Sequence, residues 1–126
     1  MSFKPVSARV KLAAAALGCA LIGSGPATAH HSFAMFDNAK EVTLDGTIRE
    51  FQWTNPHTWV QLLVSENGQQ VEYSIEGSSP NGLARKGWTR NSLKPGDKIK
   101  LVMHPLKDGT KGGSYVRATL PDGTVL

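Results

Sequence analysis

The residues with the clearest potential for metal chemistry in this 126-residue chain are four histidines: His30, His31, His57 and His104. His30 follows Ala27-Thr28-Ala29, a small-x-small tripeptide of the kind that signal peptidases cleave after. Cleavage there would make His30 the amino terminus. A free α-amine and the Nδ1 atom of the same residue chelate Cu(II) in a square-planar arrangement. The sequence therefore predicts a copper site at a processed amino terminus.

A terminal histidine supplies only half of the site known as a histidine brace, so a further imidazole is needed. We expect His57 or His104 to supply it, with His31 beside His30. Cleavage after Ala27 would instead give Thr28-Ala29-His30, which also chelates Cu(II) through its amine, amides and imidazole. The alternative is that these histidines are solvated or hydrogen-bond to a turn, because signal peptidase constrains the residues after its cut only weakly. Candidates for outer positions of the metal site are Met35, Met103 and Asp37.

The first 29 residues have the three parts of a secretory signal. Lys4, Arg9 and Lys11 give a positive start, residues 12–22 are apolar, and the small-x-small tripeptide ends the segment. The apolar stretch is too short to cross a bilayer of about 30 Å as a helix. We therefore expect export to the periplasm, followed by removal of the leader.

Removal of the leader changes the composition. The formal charge falls from +4 to +1, because the leader contains three basic residues and no acidic one. The 97 residues from His30 to Leu126 then suit one small domain, and their charge gives no support to a nucleic-acid-binding role. Loss of Cys19 leaves no disulfide or thiol nucleophile. The alternative, a lipoprotein acylated on Cys19, is less favoured because Ala16 stands where leucine is usual.

The mature chain reads as an arm over residues 30–40 and a β domain over residues 41–126. Alternating apolar residues predict five short strands, near 41–53, 57–64, 71–75, 98–103 and 114–120. In the first strand the apolar phase shifts by one residue, which predicts a bulge at Gly46 or at Arg49-Glu50. Asn67-Gly68 predicts a tight hairpin between the second and third strands.

A short helix is predicted after the third strand. Ser79-Pro80 suits an N-cap and first helical residue, and Gly87 suits the end of the helix. Three strands, a short helix and two strands is the element order of an OB-like barrel, a mainly β fold whose helix lies between strands 3 and 4. The competing arrangement is an open β-sandwich fragment, which would leave sheet edges unprotected. We expect the barrel.

A second group of candidate residues is aromatic and would bind a small ligand or a periplasmic protein partner. Trp53 and Trp59 flank one loop that contains Asn55, and Trp88 lies near Arg85 in a basic stretch. Exposed aromatic side chains on such a barrel stack on ring-shaped ligands. The alternative, which we favour for two of the three tryptophans, is that they complete a small core.

An enzyme is not indicated. The chain has no Gly-x-Ser-x-Gly, His-Glu-x-x-His or phosphate-binding loop motif. Glu72 and Glu76 are about 13 Å apart along an extended strand, which exceeds the separation of roughly 5 to 9.5 Å in paired glycosidase carboxylates. The residues favour a binding protein, either of a metal ion or of a small ligand.

The chain resembles an uncharacterised family of small exported bacterial proteins, known only as a domain of unknown function. The resemblance covers nearly all of the mature chain, and it implies an exported, mainly β domain with no assigned activity. Its motifs are His30-His31-Ser32-Phe33-Ala34-Met35-Phe36-Asp37, Gly46-Thr47-Ile48, Glu50-Phe51-Gln52-Trp53, Asn55-Pro56-His57-Thr58-Trp59, Ser79-Pro80-Asn81, Gly87-Trp88, Leu93-Lys94-Pro95-Gly96-Asp97 and Leu120-Pro121-Asp122-Gly123.

Overall fold

Five β-strands close into a barrel in the computed structural model, which describes residues 33–126. Around the barrel the order is β1-β2-β3-β5-β4, and β4 returns to pair with β1. A short helix, α1, connects β3 to β4, so the predicted OB-like arrangement is confirmed. The elements are β1 (Val42–Gln52), β2 (Trp59–Glu66), β3 (Gln69–Glu76), α1 (Pro80–Ala84), β4 (Lys98–Pro105) and β5 (Gly112–Thr119), preceded by a 3-10 turn at Phe33–Met35.

Side chains alternate along each strand, so every second one faces the inside of the barrel, and those that do are mainly apolar. On β2 these are Val60, Leu62 and Val64, and on β4 they include Leu101 and Met103, all of them buried. Closure lets strands of only eight residues bury their apolar face without leaving a long free edge. The remaining buried core residues come from β1, β3, β4 and β5 and from the chain between β3 and β4: Leu44, Ile48, Tyr73, Ile75, Leu83, Trp88, Leu93, Ile99 and Ala118.

The bulge in β1 lies at Arg49, one of the two predicted positions. Ile48 pairs with Leu62 while Glu50 pairs with Gln61, so Arg49 has no partner in the register. The extra residue changes which side chains face inward, and Phe51 packs against the core in the second half of the strand. The first half of β1, up to Thr47, pairs with β4, and the part from Gly46 onward pairs with β2.

The β2–β3 hairpin turns at Asn67-Gly68, as predicted. Both residues have positive φ angles, 50° and 78°, which is the conformation that a two-residue hairpin loop requires. The turn sets the register of the whole hairpin, from Glu66 opposite Gln69 to Trp59 opposite Glu76. Glu76 is thereby fixed beside the loop that precedes β2.

The helix α1 contributes Leu83 to the core of the barrel. Its N-cap, Ser79, accepts a hydrogen bond from the amide of Gly82 at 3.1 Å, and Pro80 follows at the first helical position. Pro80 and Leu83 are buried. Gly87 has a φ of 87° and follows the helix, as predicted for its end. No helix within residues 33–126 is long and apolar enough to cross a membrane.

The fifth strand begins earlier than the predicted Ser114. Gly112 and Gly113 belong to β5, where they pair with Ser74 and Ile75 of β3 in parallel. A Cβ atom on Gly112 would lie 2.3 Å from the carbonyl oxygen of Ser74, so the two strands approach closely only because glycine stands there. Glycine is uncommon in strands, and this hides the start of β5 from a sequence-based prediction.

Candidate functional site

Four side chains form a row across the outer surface of the barrel, at the end where β2 and β5 begin. Trp59 pairs with Glu76, Glu76 with Ser114, and Ser114 with His104. Residues that are directly paired share one face of a sheet. Their neighbours along the strands, Val60, Ile75 and Met103, point to the opposite face and belong to the core. Strand spacing of about 4.8 Å makes this outer row about 14 Å long from Trp59 to His104.

His57 lies in the loop before β2 and folds against the outer row. Its Nδ1 atom is 3.2 Å from the carbonyl oxygen of Gly77 and 3.3 Å from Oε1 of Glu76. Because a carbonyl oxygen can only accept, Nδ1 carries the proton. The Glu76 side chain is 10% exposed and that of His57 is 37% exposed. The carboxylate is therefore largely withdrawn from water and held beside the ring.

Thr58 attaches this loop to the chain that leaves β3. Its amide and its hydroxyl both donate to the carbonyl oxygen of Ser78, at 3.1 and 2.9 Å, and its own carbonyl accepts from the amide of Gly77 at 2.8 Å. These bonds explain why β2 starts at Trp59 and not at the predicted His57. They also fix where the His57 ring stands relative to Glu76.

His104, on β4, is oriented by the arm that precedes β1. Its Nδ1 atom is 2.8 Å from the carbonyl oxygen of Lys40. The carbonyl accepts, so Nδ1 is the protonated nitrogen and the Nε2 of the neutral ring carries the lone pair. Metal-binding histidines commonly use one nitrogen in this way, which orients the other nitrogen toward the metal.

The arm is bound along the end of β4. Phe36 forms a β-bridge with Leu106 and is 6% exposed. The amide of Asp37 donates to the carbonyl of Pro105 at 2.8 Å, and the amide of Lys107 donates to the carbonyl of Met35 at 3.0 Å. These contacts hold the arm on the same strand that carries His104.

Two of the four candidate histidines, His30 and His31, lie outside the described residues. Within residues 33–126, no three His, Cys, Asp or Glu side chains come close enough to hold a metal ion. A centre of three such ligands that includes His57 or His104 would therefore need a donor from the residues before Phe33.

The other candidate metal ligands are spread over the arm and the barrel. Met103 is fully buried, Met35 is exposed, and Asp37 accepts a hydrogen bond from the amide of Ala39 at 3.3 Å. Asp37 and Met103 are among the residues that line one cavity beside the arm.

The three candidate tryptophans do not form one exposed face. Trp88 is in the core, 8% exposed, with its ring 5.5 Å from that of Tyr115 and 6.0 Å from that of Phe51. Trp53 packs against the same core and contacts Phe51 edge-on at 5.8 Å. Only Trp59 belongs to the outer row. Trp53 and Trp88 thus take the core positions that the favoured alternative gave to two of the three.

The remaining candidate ligand residues are on the surface. Arg85 ends α1 and is exposed, and Asn55 is exposed in the loop before β2, where the Asn55–Pro56 peptide bond is cis. Burial raises the pKa of Tyr115, whose hydroxyl donates to the carbonyl of Leu126 at 2.8 Å beside Trp88. That end of the aromatic cluster is closed by the carboxyl-terminal residues.

Sequence reasoning missed the two contacts that orient the histidines. The partner of His57, Glu76, was considered only as one of two spaced carboxylates. Its position opposite Trp59 follows from the Asn67-Gly68 turn, so the signal was present in the sequence. The partner of His104 is a backbone carbonyl 64 residues away, at Lys40, and no side-chain pattern marks it.

Residues 19–115 match a family of unknown function, DUF6152. The chain belongs to this family. The match covers more than half of the chain and confirms the resemblance to an uncharacterised domain. The DUF6152 description assigns no activity, so any function has to be argued from the site itself.

The other comparisons add little about function. No curated protein sequence matches this DUF6152 chain. One similar solved structure is a mitochondrial single-stranded DNA binding protein from S. cerevisiae, with a TM-score of 0.48 and 13% sequence identity. The likeness covers 65% of this chain and 94% of that one. It concerns the shape of the barrel and gives no information about ligands.

Proposed function

We propose that this protein is exported to the periplasm, is cleaved before His30, and binds one copper ion through its new amino terminus. The α-amine and the Nδ1 atom of His30 form the chelate, and His104 supplies the further imidazole through Nε2. His31 stands next to the chelate as an additional donor. In this proposal the barrel is a scaffold that presents a fixed imidazole to a metal-loaded arm.

The observation that supports this proposal best is the hydrogen bond between the His104 ring and the arm. A neutral imidazole that donates through Nδ1 to a carbonyl keeps its Nε2 lone pair for a metal. The carbonyl belongs to Lys40, in the same arm that continues back to His30 and His31. His57 is held differently, against a largely buried carboxylate on β3.

The length of the arm is compatible with the proposal. Phe36 is bridged to Leu106, two residues from His104 along the chain. His30 is six positions before Phe36, and Phe33–Met35 between them form a 3-10 turn. With a rise of about 2 Å per residue in the turn and about 3.4 Å beyond it, the reach is about 16 Å at most. Two residues of strand cover only about 7 Å. The terminus can therefore turn back to His104 without releasing Phe36 from its bridge.

The test uses protein purified after export and Cu(II) titrated against a competing chelator. We expect His30→Ala to abolish tight binding, and His104→Ala to weaken it by at least about tenfold with loss of one nitrogen coupling in the EPR spectrum. His57→Ala is the matched control and should bind as the wild type does. Unchanged binding by His30→Ala would refute the proposal. Weakening by His57→Ala alone would refute the assignment of His104.

A second candidate function is a non-catalytic module that binds a small ligand or a protein partner. It is supported by Trp59, which is half-buried on the outer row beside the largely buried carboxylate of Glu76. A ligand bound here would change the fluorescence of Trp59, and Trp59→Phe would remove that change. A ligand response that persists in Trp59→Phe would refute this candidate.

A further inference from the structure

A cavity of about 320 Å³ lies between the arm, the end of β4 and the loop that leads into β5. Its volume is at the lower end of the range for sites that bind small molecules, about 300 to 1,000 Å³. The aliphatic residues among its lining include Val42 and Met103, whose side chains face the inside of the barrel, and Leu106 from the loop. One part of the lining is therefore apolar, and the rest of it is polar.

Three lysines surround this cavity: Lys40 from the arm, and Lys107 and Lys111 from the loop before β5. Asp37 is the one acidic residue among the described residues that line it. Lys40 and Lys107 are exposed and make no ion pair within residues 33–126. The opening of the cavity thus carries an excess of positive charge.

The third lysine is held in place by its own partners. The Nζ atom of Lys111 is 2.9 Å from a carboxylate oxygen of Glu66 and 3.3 Å from the hydroxyl of Tyr73. Tyr73 donates a hydrogen bond to the same carboxylate. This cluster fixes one wall of the cavity and neutralises Lys111, so Lys40 and Lys107 carry the positive charge that is left for a ligand.

We propose that this cavity binds a small organic anion with a short apolar chain, of the aliphatic carboxylate class. The apolar part of the lining, at Val42 and Leu106, would take the chain, and the ammonium groups of Lys40 and Lys107 would pair with the carboxylate at the opening. The site adjoins the proposed copper centre, because its lining includes Lys40, whose carbonyl orients His104, but it uses neither His30 nor the His104 ring as a ligand.

Hexanoate is the probe. Hexan-1-ol is the control that has the apolar chain without the charge, and inorganic phosphate is the control that has the charge without the chain. Amide NMR spectra of the protein expressed from its full sequence and purified after export would follow each titration. We expect hexanoate to shift the amides of Gly109, Thr110 and Gly112 in a saturable way, and to bind at least about tenfold tighter than either control. Equal binding of hexan-1-ol or of phosphate would overturn the proposal.

The double variant Lys40→Gln/Lys107→Gln tests the role of charge. Glutamine keeps the backbone contacts of both positions, so the fold is expected to persist, and its unfolding temperature checks this. We expect hexanoate binding to weaken at least about tenfold. Lys98→Gln, at the other end of β4, removes one charge away from the cavity and should leave binding unchanged. Unaltered binding in the folded double variant would refute the site.

Discussion

Gly113 shows how a single residue sets the geometry around His104. A Cβ atom at this position would lie 2.2 Å from the carbonyl oxygen of His104 and 2.9 Å from the Sδ atom of Met103. The absence of a side chain therefore lets β4 and β5 pair where the outer row crosses them. Any larger residue would have to push β5 away from β4.

We expect Gly113→Ala to lower the free energy of unfolding by about 1 to 3 kcal/mol, the usual cost of overpacking a tight site. Urea unfolding followed by tryptophan fluorescence would measure the change. Ser114→Ala, at the next position of β5, is the control and should cost less, because it removes atoms instead of adding them. An equally stable Gly113→Ala protein would contradict the close approach of the strands.

The contacts of His57 and His104 differ in whether the sequence could have predicted them. His57 and Glu76 could have been placed together, because the hairpin turn at Asn67-Gly68 fixes the register of β2 against β3. His104 and Lys40 could not, because their contact depends on how the arm lies along β4, and a backbone carbonyl leaves no trace in the side-chain pattern.

At the scale of elements, hydrogen bonds among Glu66, Tyr73 and Lys111 connect the β2–β3 hairpin to the loop before β5. The hydrogen bond from Tyr73, followed by that from Lys111, holds the pKa of Glu66 below its ordinary value. The contact with Glu66 in turn raises the pKa of Lys111. The cluster therefore stabilises the folded state most between the acidic and the alkaline ends of the pH range.

The pKa shifts of Glu66 and Lys111 make the stability of the folded state depend on pH. A carboxylate with a lowered pKa contributes stability above its ordinary pKa of about 4.3, and this is lost as the pH falls through the folded value. A lysine with a raised pKa contributes fully below about pH 10.4, and this is lost as the pH rises through the folded value. Both losses should depend on Glu66.

We expect Glu66→Gln to be less stable than the wild type at pH 7 and to lose less stability between pH 5 and pH 3. Urea unfolding at a series of pH values measures this. Glu72→Gln is the control: it removes an exposed ion pair with Arg49, which contributes little to stability, and leaves Glu66, Tyr73 and Lys111 in place. An acid decline as steep in Glu66→Gln as in the wild type would contradict the role of the cluster.

The proposed copper site also depends on the position of the arm along β4. Phe36 is its buried anchor, and removal of a buried phenylalanine side chain typically costs about 3 to 5 kcal/mol in a protein core, with less expected here at the barrel margin. We expect Phe36→Ala to speed hydrogen exchange at the amides of Asp37 and Lys107, while amides in the centre of β2 keep their protection. Unchanged exchange at Asp37 and Lys107 would show that the arm is held by other contacts.

For the whole molecule, the element order and the alternation of apolar residues were sufficient to predict a closed five-stranded barrel. They succeeded because short strands with one apolar face have few ways to bury it. The start of β5 was missed because Gly112 and Gly113 hide a strand. The placement of Trp88 in the core, of Trp53 against the core and of Trp59 on the outer row depends on the bulge at Arg49 and on how the chain after α1 packs.

The central claim is that export produces a terminal His30 that holds copper. Native mass spectrometry of the exported protein, loaded with one equivalent of Cu(II), tests the new terminus and the metal together. We predict the mass of residues 30–126 plus one copper ion, with Thr28 as the alternative first residue. A chain that begins elsewhere and keeps His30 further inside, or a chain of the predicted mass without copper, would contradict the claim.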